Sequence, residues 1–84
     1  CTGVGEAYIR TCAAHNLATN YHLTTNLSES TDKILDEVAP LGGRGGLIAV
    51  TTSGEFAMPF QTRLMYRGYW RNGELKVGIG PELE

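Results

Sequence analysis

Ile9, Cys12, Ala13, Asn16 and Leu17 fall at the i, i+3, i+4, i+7, i+8 spacing of one helical face. This spacing predicts a helix from Glu6 to about Tyr21, with the Glu6 carboxylate in a first turn where the macrodipole favours it. Thr24-Thr25-Asn26 interrupts the pattern, and Ser28 is a good N-cap for a second helix. Ile34, Leu35 and Val38 share one face of that helix, and Pro40 and Gly42 end it.

Beyond the turn Gly42-Gly43-Arg44-Gly45-Gly46 the period changes. Leu47 to Thr52 reads as a strand whose consecutive apolar positions fit coverage on both faces. Ser53-Gly54 is a hairpin signal, so Glu55 to Phe60 returns as the partner strand. Pro59 must then sit at a strand end or bulge, because it has no N–H to give a ladder. Tyr66 to Trp70 is a third strand, Asn72-Gly73 a two-residue hairpin turn, and Leu75 to Ile79 the fourth strand. Two helices followed by about four antiparallel strands define an α+β layer arrangement, with one helical layer and open sheet edges.

Composition narrows the picture. The chain has 84 residues, which allows one small domain or part of one. A chain of this size hides only about two-thirds of its unfolded surface, so its independent stability is expected to be marginal. Apolar residues make up 42% and the mean hydropathy is −0.16, which fits neither a membrane span nor a disordered tail. The run Leu47-Ile48-Ala49-Val50 is far short of the roughly 18 apolar residues needed to cross a bilayer. A net charge of −2 argues against polyanion binding.

The chain begins at Cys1 instead of methionine, so it is expected to be cut or processed from something longer. No charged segment followed by an apolar one precedes Cys1, and no signal peptide is visible. Cys1 and Cys12 are expected to be unpaired, since a helix begun near Gly5 separates the two regions by ~10 Å. A disulfide needs Cα atoms within about 7 Å. Two free thiols fit a reducing, cytoplasmic setting. Leu83-Glu84 resembles the residue of a cloning site, which leaves residues 1–82 as a single partial domain.

Five groups of residues invite chemistry. Thr2-Gly3-Val4-Gly5-Glu6 places glycines and a hydroxyl where a helix is expected to begin. Free backbone N–H groups there can bind a carboxylate, a phosphate or a developing oxyanion; the alternative is a helix-entry turn with no ligand. His15 and His22 are two helical turns apart, ~10 Å, too far to share a metal, so no metal or other cofactor is expected. Arg63, Arg67 and Arg71 alternate with Tyr66, Tyr69 and Trp70, which allows phosphate pairing with base stacking. Without a recognised motif, core or interface aromatics with arginines bridging to a partner's carboxylates are favoured over nucleic acid. The glycine run Gly42 to Gly46 lacks the Gly-Lys-Ser/Thr ending of a phosphate loop and reads as a connector. Cys1 could serve as an N-terminal nucleophile with its own amine as base, although a start there by accident is favoured.

Three ordered segments resemble the distal β-subunit part of the plant-type asparaginase and isoaspartyl peptidase family. They are Cys1-Thr2-Gly3-Val4-Gly5-Glu6-Ala7-Tyr8-Ile9-Arg10, Gly42-Gly43-Arg44-Gly45-Gly46-Leu47-Ile48-Ala49-Val50, and Ala57-Met58-Pro59-Phe60 with Met65-Tyr66-Arg67-Gly68. The resemblance spans about residues 1–70 and implies part of an αββα N-terminal nucleophile hydrolase sandwich. It also implies a precursor that cleaves itself into α and β chains and assembles as (αβ)2. The implied substrates are the side-chain amide of L-asparagine and β-aspartyl dipeptides. By the same resemblance, Thr2 hydroxyl and Gly3 N–H would form the oxyanion hole, and the turn Thr2, Gly3, Val4, Gly5 would border the substrate. The nucleophilic threonine, and the arginine and aspartate that clasp the substrate's amino-acid end, would lie upstream, outside this chain.

One segment departs from the family. Members read PFNTEG before MYRG, whereas this chain has Pro59-Phe60-Gln61-Thr62-Arg63-Leu64. An arginine for an acidic residue and a leucine for a glycine change charge and backbone freedom near the active-site end. The alternative they motivate is a catalytically inactive structural or interaction subunit.

Overall fold

The computed structural model describes residues 1–82; the Leu83-Glu84 assignment lies outside them. The elements run β1 (Thr2–Gly3), α1 (Gly5–Arg10), α2 (Ala13–Thr24), α3 (Leu27–Val38), a 3-10 turn (Ala39–Leu41), β2 (Gly45–Gly46), β3 (Ala49–Val50), β4 (Phe56–Ala57), β5 (Arg67–Arg71) and β6 (Glu74–Gly78). The class is α+β, as the pattern predicts. Four of its details differ.

The expected first helix is two. Thr11 turns its hydroxyl back onto the Ala7 and Tyr8 carbonyls, both at 3.1 Å, competing with helical continuation. Cys12 then takes a left-handed conformation, φ 49°, and α2 starts on a new axis. The predicted stripe is therefore split: Ala13 is buried, whereas Ile9 is 75% exposed and Cys12 faces solvent. The second helix starts earlier than Ser28 predicts. Asn26 is its N-cap, the side chain accepting from the Glu29 N–H at 3.0 Å, because Thr25 (φ 54°) has already closed α2.

Strand pairing is antiparallel throughout the described residues, in three two-stranded ladders: β1 with β2, β3 with β4, β5 with β6. The predicted first pair of strands is interrupted where Leu47 donates to the Pro59 carbonyl at 3.0 Å. Proline has no N–H to answer with, so the ladder breaks there and resumes at the Gly46–Phe60 bridge. Asn72 and Gly73 both carry positive φ, 52° and 77°, as the hairpin turn between β5 and β6 requires.

The core lies on one side only. Ala7, Tyr8, Ala13, Ile34, Leu35, Val38 and Leu47 pack together, with Leu17 and Ala49 against them. Leu47 is 2% exposed, while Ile48 and Val50 are 66% and 73% exposed. The expectation that this strand is covered on both faces is thus corrected: the helices cover one face, and the other carries bare apolar side chains.

Candidate functional site

The glycine turn at the start of the chain is pinned to the glycine run after α3. Thr2 faces Gly46 and Gly3 faces Gly45. Gly3 (φ 131°) and Gly45 (φ 150°) approach so closely that a Cβ on either would collide with backbone of the opposite strand, Arg44 and Thr2 respectively. Only glycine at both positions lets the two segments meet.

This pairing decides which backbone donors stay free. The Val4 N–H donates to the Arg44 carbonyl at 3.0 Å, one residue beyond the Gly3–Gly45 pair on each strand. That marks Gly3–Gly45 as a non-hydrogen-bonded pair, so the Gly3 N–H points away from β2 to the open edge. Thr2 is exposed beside it. Of the four turn residues, Thr2 and Gly3 therefore present a hydroxyl and a free N–H, whereas the Val4 N–H is already engaged. Gly5 opens α1, and open space surrounds the position of its missing Cβ. With only six residues, α1 brings less dipole to this turn than the long helix expected from the sequence.

Thr2 and Gly3 line a cleft of about 350 Å³ together with Arg44, Gly45, Thr62, Leu64, Met65 and Tyr66. Thr62 donates its hydroxyl to the Leu64 carbonyl at 2.9 Å, which fixes the loop that carries Leu64. Gln61 is held elsewhere: its side-chain amide donates to the Leu35 carbonyl at 3.0 Å, tying this loop to α3. Arg63 is exposed and does not line the cleft. Sequence reasoning passed over Arg44 and Thr62. The signal for Arg44 was available, a single long cation in the middle of four glycines.

The other candidates separate. His15 and His22 are exposed on α2, and among the described residues no three His, Cys, Asp or Glu side chains cluster as a metal site. Cys1 and Cys12 are free thiols at the surface. Arg67 and Arg71 share one face of β5, and each stacks over a phenylalanine, Phe60 at 4.8 Å and Phe56 at 5.6 Å. Their guanidiniums donate to the carbonyls of Gly80 and Gly54. Within the described residues they staple strands and loops together. Tyr69 packs on Phe56 with ring centroids 4.7 Å apart, while Tyr66 and Trp70 are 86% and 70% exposed.

A helical layer on antiparallel ladders, with a glycine-pinned edge offering a hydroxyl and an unspent N–H to a cleft, defines an α+β protein. A family model described as asparaginase matches residues 1–79. Isoaspartyl peptidases of Salmonella typhimurium and Escherichia coli are each 41% identical over 76 residues, covering 88% of this chain. The chain belongs to the asparaginase and isoaspartyl peptidase family. It spans 24% of the length of each of these two relatives.

Proposed function

We propose that these residues are the distal β-subunit part of a hydrolase that cleaves the side-chain amide of L-asparagine or the isopeptide bond of β-aspartyl dipeptides. The observation that carries this reading is the outward Gly3 N–H beside the exposed Thr2 hydroxyl, held by the Gly3–Gly45 approach. A threonine outside this chain, freed by self-cleavage of a precursor, attacks the scissile carbonyl. The carbonyl oxygen becomes an oxyanion that accepts hydrogen bonds from Thr2 Oγ1 and the Gly3 N–H. Both donors sit on a backbone ladder, so little reorganisation opposes the charge as it forms. Collapse of the intermediate expels ammonia or an amino acid and leaves an acyl-enzyme, which water hydrolyses to aspartate.

The architecture proposed for the whole is an αββα sandwich assembled as (αβ)2 in the cytoplasm, of which residues 1–82 form one partial domain. The described residues extend 38 × 29 × 16 Å. A 16 Å thickness fits one helical layer on one strand layer, since a second sheet adds about 10 Å. The bare Ile48 and Val50 side then faces the remainder of the protein. No helix among the described residues is long and apolar enough to cross a membrane.

The test is turnover by the complete protein. Ammonia release from L-asparagine and aspartate release from β-aspartyl-leucine are expected, and absence of both in protein with a mature N-terminal threonine overturns the reading. Thr2→Val is expected to lower kcat by about 10²–10³-fold with a smaller change in KM, as loss of an oxyanion-hole donor does. A second reading, an inactive structural subunit, draws on Leu64 lining the cleft. Folded, fully processed protein that turns over neither substrate favours it.

A further inference from the structure

Arg44 has no structural task for its charge among the described residues. Its backbone is held: the carbonyl accepts from Val4, the neighbouring Gly43 N–H donates to the Val38 carbonyl at 2.9 Å, and the Gly45 carbonyl accepts from Gln61 at 2.9 Å. The side chain is exposed and forms no ion pair among the described residues, although Asp32 and Asp36 border the adjoining cleft that Arg44 also lines. A long cation thus stands on a fixed base at the rim of the cleft that holds Thr2 and Gly3. Beside it lie Leu64 and Tyr66, 54% and 86% exposed, and half-buried Met65.

With the carbonyl oxygen of an amide substrate at Gly3, this cleft is open to the leaving group. When the leaving group is an amino acid, its free carboxylate is three bonds from the scissile carbon, and its side chain follows the same direction. Ammonia, the leaving group of asparagine, has neither. We infer that Arg44 pairs with the carboxylate of the leaving amino acid, with Leu64, Met65 and Tyr66 receiving an apolar side chain. The cleft is then built for β-aspartyl dipeptides with an apolar second residue. This inference rests on the hydrolase reading proposed above and deepens it. An arginine on a carboxylate is suited to such discrimination because its charge and forked donors are permanent.

The experiment compares β-aspartyl-leucine with β-aspartyl-leucinamide, which lacks the carboxylate, using the complete processed protein. The wild type is expected to prefer the acid by roughly 10- to 100-fold in kcat/KM, the range of a charged hydrogen-bonded contact. Arg44→Met is expected to bring that preference close to unity, mostly through KM for the acid, and Arg44→Lys to retain part of it. Equal rates on acid and amide by the wild type overturn the Arg44 assignment and leave the hydrolase reading standing. So does a preference that Arg44→Met leaves intact. Hydrolysis of neither dipeptide nor of asparagine overturns both. Should Arg44→Met not fold, the wild-type preference and Arg44→Lys decide the matter, and a lysine variant indistinguishable from a wild type without preference counts against it.

Discussion

The two sides of the segment Gly45 to Val50 differ as much as two parts of one strand can. Leu47 meets Ile34 and Val38, both 0% exposed, in the helix-covered core. Ile48 and Val50 are of the same chemical kind and lie one residue away, yet most of their surface is bare. Alternation along a strand sends neighbours to opposite faces, so coverage is a property of what packs there and not of the residues. The helical side is a finished interior; the strand side has the composition of an interior without its covering layer.

Substitutions break that comparison in order of their expected size. Ile34→Ala in the complete protein is expected to cost about 2–5 kcal/mol, since it empties a fully buried position, measured by denaturant unfolding. Ile48→Ala measured in parallel sharpens the contrast. A cost in the same range means that the strand side is covered in the complete protein, and one below about 0.5 kcal/mol means that it stays open to water. Gly45→Ala is expected to destabilise by about 1–3 kcal/mol, because φ 150° is strained for any side chain and the Cβ meets the Thr2 backbone. The same change should lower turnover by displacing Thr2 and Gly3. Asn26→Ala removes the cap of α3 and is expected to cost about 1 kcal/mol in the same unfolding assay.

The smallest effect concerns Tyr8. Its hydroxyl is buried with no hydrogen-bond partner among the described residues, and burial raises its pKa above the ordinary 10.0. Stability from the neutral phenol is therefore complete below pH 10.0 and declines as pH rises past it, because the unfolded chain ionises first. Tyr8→Phe should unfold no more easily at neutral pH and lose this alkaline decline, as read from thermal unfolding across pH 9 to about 11.

Much of this was legible along the chain, in places where local chemistry decides. The face Ile34, Leu35, Val38 and the stop at Pro40 and Gly42 are written at helical spacing, and Asn72-Gly73 dictates its own turn. The start of α3 at Asn26 was within reach too, since asparagine caps as well as serine. The break at Cys12 was not, because it depends on Thr11 returning its hydroxyl to the preceding turn and on a cysteine accepting a left-handed φ. The Thr-Gly-x-Gly turn was legible as residue types, but the donor it frees was not. Whether Gly3 or Val4 spends its N–H depends on the register against Gly45, which no local pattern encodes.

By itself the sequence determined the α+β order of elements, the helical face that fills the core, and a Thr-Gly-x-Gly turn carrying the marks of its family. Those follow from periodicity, capping and backbone freedom, which act between near neighbours. Tertiary structure alone decided that Gly3 and Gly45 meet, that Thr2 shares a cleft with Arg44 and Leu64, and that one strand face is covered while the other is bare. Each of these joins residues far apart in the chain, so it is set by the packing of layers and the register between strands.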